Sequence, residues 1–131
     1  EKGLDLIFIS DDGVKDDTFI DIAKDAAEGV YASGPTDTTQ TPLAIKAKEA
    51  HAKEYNEDPG AFFYNAYAAT TALLTAIENA GSTDYEKVRT ALQSNFVDTA
   101  LGSISFDDQG DVIGVGFNMY QVQNGAYVQV D

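Results

Sequence analysis

Asp11, Asp12 and Gly13 follow directly on the apolar run Leu6-Ile7-Phe8-Ile9, which places a carboxylate cluster at the end of an expected strand. In open parallel sheets ligands sit beyond the carboxyl ends of the strands, so this is where a ligand contact is expected first. Asp11 with Asp12, or Asp16 with Asp17, could also do acid and base work, because like charges held together push one pKa upward. Neighbours in sequence that face water couple weakly, and Asp and Gly are ordinary turn residues, so a solvated turn is the competing account.

The other reactive constellations fail on residue type or spacing. His51 is the only histidine, and it lies on a charged helical stretch with Lys48 and Lys53 nearby. A histidine-based triad would have to use it, yet no G-x-S-x-G pattern accompanies it. The loop Asp107-Asp108-Gln109-Gly110-Asp111 suggests calcium, but an EF-hand counted from Asp107 needs Gly sixth and Glu twelfth, where Val112 and Asn118 stand. A turn is the better reading. Neither a Walker loop nor a dinucleotide G-x-G-x-x-G follows the first strand, and the absence of cysteine removes thiolate chemistry. Phe62, Phe63, Tyr64 and Tyr67 form a dense aromatic patch at the opening of a helix. Phe63 and Tyr67 keep the expected core register, which leaves Phe62 or Tyr64 to meet an apolar ligand.

These groups need elements to hold them. Leu4 to Gly34 reads as strand, acidic turn, short helix and second strand, the first strand buried because its apolar residues run on without alternation. Val30 to Ser33 is the second strand, ended by Gly34-Pro35. Thr41-Pro42 is a helix start, Thr as cap and Pro at the first helical position, with Leu43, Ala47 and Ala50 on one face up to about Tyr55. A second helix runs from near Gly60 to Asn79, on which Phe63, Tyr67, Thr70, Leu74 and Ile77 recur at spacings of three and four. Thr83 and Glu86 fit a capping box for a third helix with Tyr85, Val88 and Leu92 inward. Beyond Asn95 the alternation of Ile104 with Phe106, and of Val115, Phe117 and Met119, marks strands. Asn124-Gly125 between Tyr120-Gln123 and Ala126-Val130 is a hairpin turn that requires positive φ.

With 131 residues the chain can bury one ordinary core without metal or disulfide staples. Its 22 acidic against 8 basic residues give a net charge of -14, which opposes binding to nucleic acid or to an anionic membrane face. The acidic residues are dispersed, as on a solvated surface. No apolar run approaches the length of a membrane span, and the opening residues are not expected to form a charged-then-apolar leader.

Taken together, Leu6 to Val14, Asp25-Ala26-Ala27-Glu28-Gly29-Val30, Tyr64-Asn65-Ala66-Tyr67-Ala68-Ala69 and Gly102-Ser103-Ile104-Ser105-Phe106-Asp107 with Gly110-Asp111 resemble the C-terminal portion of a type I periplasmic solute-binding protein. The family meant is that of the leucine/isoleucine/valine-binding receptors of ABC importers, and Ala26-Ala27-Glu28-Gly29 is its most specific single stretch here. The resemblance implies an α/β fold in two lobes joined by three hinge crossings that close on a small amino acid or related solute. Asp12 matches a position where the family often has a Glu that pairs with the ligand ammonium, and Asp is one methylene shorter. Phe62 matches an aromatic position lining the ligand side-chain pocket. The family's carboxylate-binding Ser and Thr hydroxyls lie in its N-terminal half, outside this chain.

The expectation is therefore a partial periplasmic-binding-protein fold, a parallel sheet flanked by helices with a C-terminal β-hairpin, completed by another chain or copy. Residues 1–34 would be a lobe-two segment, 35–112 a lobe-one segment and 113–131 the hinge return and lobe-two hairpin. The expected function is non-enzymatic binding of a branched-chain or related amino acid through Asp12, Gly13, Phe62 and Tyr64, with no cofactor and no metal. The partners expected are the solute, a complementary N-terminal chain or further copies, and the membrane subunits of an importer, in the periplasm. Alternatives are an assembly subunit pairing through exposed strand edges, and an amide or amino-acid sensor domain of the same fold.

Overall fold

The computed structural model describes residues 6–60 and 62–130; Leu4, part of the expected first strand, lies outside them. Strands are β1 (Ile9–Ser10), β2 (Tyr31–Pro35), β3 (Val97–Thr99), β4 (Gly102–Phe106), β5 (Val112–Ile113), β6 (Phe117–Gln123) and β7 (Ala126–Val130). Helices are α1 (Asp17–Ala23), α2 (Pro42–Tyr55), α3 (Phe63–Ala80) and α4 (Tyr85–Ser94). The chain divides into two compact units, residues 1–36 with 116–131, and residues 37–115.

The first unit holds a four-stranded sheet in the order β1-β2-β6-β7. Only β1 and β2 run parallel, with Ile9 opposite Tyr31; β2 with β6 and β6 with β7 are antiparallel. Val122 and Val30 exchange backbone bonds with the opposite strand region and, with Ala27, form the buried centre, against which Phe19, Ile20, Ala23 and Tyr127 pack. The hairpin forms as its sequence requires: Gln123 pairs with Ala126, and Asn124 and Gly125 take φ 55° and 75°. Asp16 caps α1 by accepting from the Thr18 N–H at 2.8 Å.

Two expectations change in this unit. The run Leu6 to Ile9 is exposed instead of buried, Ile7 by 79%, because β1 is a two-residue edge strand paired on one side only. β2 continues through Gly34-Pro35 instead of ending there. Proline is tolerated at a strand end, and the Pro35 carbonyl accepts from the Tyr120 hydroxyl at 2.7 Å.

The second unit packs α2, α3 and α4 with the three-stranded sheet β3-β4-β5. Thr41 caps α2, its hydroxyl accepting from the Ala44 N–H at 3.2 Å and donating to the Ala100 carbonyl at 3.3 Å. The core is built from small residues: Ala44, Ala47, Ala68, Ala72, Ala76 and Ala100 are buried together with Val88 and Ile104. That overturns the expected faces. On α3 the buried stripe is Ala68, Ala72 and Ala76, while Tyr67 and Leu74 are exposed; on α2 Ala44 replaces Leu43 and Ala50. Spacings of three and four put either row of α3 on one face, and alanine lets backbones approach more closely than the bulkier row allows. On α4 Tyr85 is 73% exposed and the cap is Asp84, not Thr83, accepting from the Lys87 N–H at 3.3 Å while Glu86 turns to Arg89. Gly114, at φ 100°, lies so close to the Ser103 carbonyl that a Cβ would meet it at 2.3 Å, which explains a glycine in a segment without any nucleotide-binding geometry.

Candidate functional site

The Asp12 turn is built almost wholly from its own backbone and from the sheet behind it. Asp12–Val14 is one turn of 3-10 helix that Asp11 caps, its carboxylate accepting from the Gly13 N–H at 3.2 Å. The amide of Gly13 is thus engaged inside the turn. Asp11 has a structural task, and the Asp12 carboxylate has no hydrogen-bond or ion-pair partner among the described residues. Four contacts fix the turn. The Val14 carbonyl accepts from both the Asp16 N–H at 2.8 Å and the Tyr127 hydroxyl. The Lys15 stem lies against Gly34, where a Cβ would stand 2.3 Å from its Cδ, and the Lys15 ammonium sits 4.0 Å from the centroid of the Tyr120 ring.

The charges around this turn act on two groups. Hydrogen bonding from Thr18, its side chain first and its backbone N–H second, holds the Asp16 carboxyl below its usual value of 3.8. Burial first, and then the charges of Asp16 and Asp17, push the Tyr127 phenol above its usual 10.0.

In the second unit Phe62 occupies the residue before α3 with φ 61° and ψ 4°, a left-handed conformation that a bulky residue seldom adopts, and is 51% exposed. Its carbonyl accepts from the Ala66 N–H at 3.0 Å, so the strained residue also starts the helix. The turn before it is tied to α2 by His51, whose Nδ1–H donates to the Glu57 carbonyl at 3.2 Å, and by the 3.4 Å pair of Lys48 with Asp58. The His51 ring lies 4.8 Å from Tyr55 and 4.9 Å from Phe63, and Phe63 is 5.2 Å from Tyr64 and 5.8 Å from Tyr67. His51 therefore packs a turn. Tyr64, half-buried, borders a groove of about 460 Å³ with Thr39, Gln40, Ile45, Lys48 and Ala52.

Asp12 and Gly13 thus share one turn of the first unit, and Phe62 and Tyr64 share the opening of α3 in the second. The Asp107 loop closes on itself, its carboxylate accepting from the Gln109 and Asp111 N–H groups at 2.9 and 2.8 Å. No group of three metal-ligating side chains occurs among the described residues, and no helix among them is long and apolar enough to cross a membrane.

The profile of the periplasmic binding proteins matches residues 2–126. The chain belongs to this family. A leucine-, isoleucine-, valine-, threonine-, and alanine-binding protein of Pseudomonas aeruginosa is 38% identical over 127 residues, 96% of this chain and 34% of that protein. The Leu/Ile/Val-binding protein of Escherichia coli K12 is 32% identical over 125 residues, 90% of this chain and 32% of its own length. A leucine binding protein from Thermotoga maritima superposes with a TM-score of 0.79 at 29% identity, covering 98% of this chain and 37% of that one. The chain accordingly carries a partial periplasmic-binding-protein fold, spanning about a third of the length of the relatives it matches.

Residues that composition and spacing did not single out support the turn: Lys15, Tyr120 and Tyr127. The Ala26-Ala27-Glu28-Gly29 stretch was legible as a family marker without its physical role. Ala27 is fully buried, Glu28 holds the β6–β7 turn by accepting from the Asn124 and Gly125 N–H groups, and the Gly29 N–H donates to the Val122 carbonyl at 2.9 Å.

Proposed function

We propose that this chain forms the C-terminal part of a receptor that binds a small amino acid, branched-chain or related, for an ABC importer in the periplasm. In this reading Asp12 pairs with the ligand's ammonium, the Gly13 turn sets its height, Phe62 meets the apolar side chain, and Tyr64 is a weaker aromatic contact. The observation that carries it is the Asp12 carboxylate, left without a partner among the described residues at the end of β1, in a turn that Tyr127, Asp16 and Lys15 hold still. A charge kept unpaired and preorganised is what recognition of a cation requires. In this reading the role is binding, in keeping with relatives that are amino-acid-binding proteins. The importer's membrane subunits and a complementary N-terminal chain are the partners of this reading.

Calorimetric titration with leucine, valine, alanine and small amides, on the chain alone and on the chain combined with an N-terminal segment of a family relative, tests it. Heat with leucine or valine in the combined protein, with affinity weakened by Asp12→Asn, is the expected result; no heat with any solute overturns it. Binding of amides alone would indicate an amide sensor of the same fold. One observation favours a second reading, assembly through strand edges: Ile9 of the edge strand β1 is exposed, as are Leu6 to Phe8 just before it. Filaments or discrete oligomers in sedimentation, without solute heat, would support that reading.

A further inference from the structure

The turn between β6 and β7 carries a chemical liability that the rest of the fold restrains. Six asparagines occur in the chain, and Asn124 alone is followed by glycine. Asparagine is a thermolabile residue, and a following glycine has no Cβ to hinder its backbone nitrogen. In the reaction the Gly125 nitrogen gives its proton to solvent base and attacks Asn124 Cγ. The new N–Cγ bond forms as Cγ–Nδ2 breaks, and Nδ2 takes a proton from water and leaves as ammonia. A water molecule then opens the five-membered imide at either carbonyl, giving aspartate or its iso form with an added backbone methylene. Water enters, ammonia leaves, and nothing is oxidised or reduced.

In this protein the nucleophile is held. Both turn residues are exposed to water, yet the Glu28 carboxylate accepts from the Asn124 N–H at 2.8 Å and from the Gly125 N–H at 3.3 Å. Glu28 is itself anchored, since the adjoining Gly29 donates to the Val122 carbonyl at 2.9 Å and its carbonyl accepts from Gln121 Nε2 at 3.3 Å. We propose that Asn124 is a latent deamidation site and that Glu28 is the latch that keeps it shut. Two effects act together. Removing the Gly125 proton would create an anion beside a carboxylate already 3.3 Å away, which like-charge repulsion opposes. The same bonds also hold the turn at φ 55° and 75°, and its backbone must rotate before Cγ can reach the nitrogen.

Failure of the latch would propagate. An iso-aspartate at position 124 lengthens the backbone inside the two-residue loop, against the pairing of Gln123 with Ala126 and Val122 with Tyr127. The site is distinct from the proposed solute contacts and stands or falls independently of them.

Incubation of the protein in mildly alkaline buffer, followed by peptide mapping for the mass gain at Asn124 and by iso-aspartate labelling, measures the rate. The native protein should convert about tenfold more slowly than Glu28→Ala, the factor that losing one charge-assisted hydrogen bond implies. Glu28→Gln, which retains one acceptor oxygen and loses the charge, should fall between them while circular dichroism stays native. Equal rates in the native protein and in Glu28→Gln overturn the charge argument. Should both variants unfold, hydrogen exchange on the native protein decides: protected Asn124 and Gly125 amides uphold the latch, and exchange as free as in a peptide overturns it.

Discussion

The Tyr127 hydroxyl donates to the Val14 carbonyl across 113 residues of sequence, joining the second strand of the C-terminal hairpin to the turn that presents Asp12. The same carbonyl takes the Asp16 N–H, so one oxygen gathers the hairpin, the turn and the start of α1.

Tyr127→Phe removes that bond and keeps the ring packed on the core. The expected loss is about 1 kcal/mol, the net worth of an ordinary hydrogen bond, since the Val14 carbonyl keeps the Asp16 N–H as a partner. The pH dependence has a definite sign. A phenol raised above 10.0 in the folded state retains its proton when the unfolded chain has lost it, so its contribution is intact below about pH 10 and fades as pH rises through the folded value. Urea titrations of both proteins at pH 7 and about pH 10.5 should therefore show a smaller difference at the higher pH.

Asp16→Ala removes the α1 cap and should cost about 1 kcal/mol at neutral pH. The Asp16 carboxyl is lowered below 3.8, so its stabilisation is present above that value and is lost as pH falls through the folded pKa. Chemical denaturation at pH 7 and at pH 3 checks this: the gap between the two proteins should narrow in acid.

Asp12→Asn preserves shape and deletes charge. In the combined receptor it should weaken amino-acid binding by roughly 10- to 100-fold, the range of a charge-assisted hydrogen bond, with little change in melting temperature, because the Asp12 carboxylate has no partner among the described residues and the Asp12 carbonyl keeps its Lys15 N–H. Calorimetry beside a thermal melt separates the two quantities. Equal affinity in the native protein and in the Asp12→Asn variant would remove Asp12 from the site.

Phe62 holds a left-handed φ of 61°, a conformation costing roughly 1 kcal/mol or more for a residue with a Cβ. Phe62→Gly should therefore be more stable than Phe62→Ala by about 1 kcal/mol, since both lack the ring and glycine alone relaxes the backbone. Both variants should lose affinity for leucine more than for alanine. Urea midpoints and a two-ligand titration measure the pair of effects.

Local chemistry was the most readable part of the sequence. Thr41-Pro42 starts α2 and Asn124-Gly125 turns the hairpin because caps and tight turns depend on residues within a few positions of one another. The side of a helix that becomes buried depends on what packs there. Phe63, Tyr67 and Leu74 have the hydrophobic period of a core face, yet Ala68, Ala72 and Ala76 share the same spacing and win by allowing closer approach. Burial of Leu6 to Ile9 was a matter of neighbours that composition cannot supply, as β1 is bonded along one edge alone. Asp12 was visible as a carboxylate after a strand. Its supports were not, because Lys15 on Tyr120 and Tyr127 on Val14 are contacts between distant segments with no pattern of their own.

The first unit is made from residues 1–36 and 116–131, joined where the Thr36 N–H meets the Gly116 carbonyl at 2.9 Å. Its sheet can close only after the intervening residues 37–115 have been laid down, so its formation carries the entropy of joining ends across that whole insertion. A folded insertion holds those ends to a narrow range of separations, and a melted one lets them wander. Substitutions among the alanines of α3 should therefore slow the assembly of a sheet to which they do not belong.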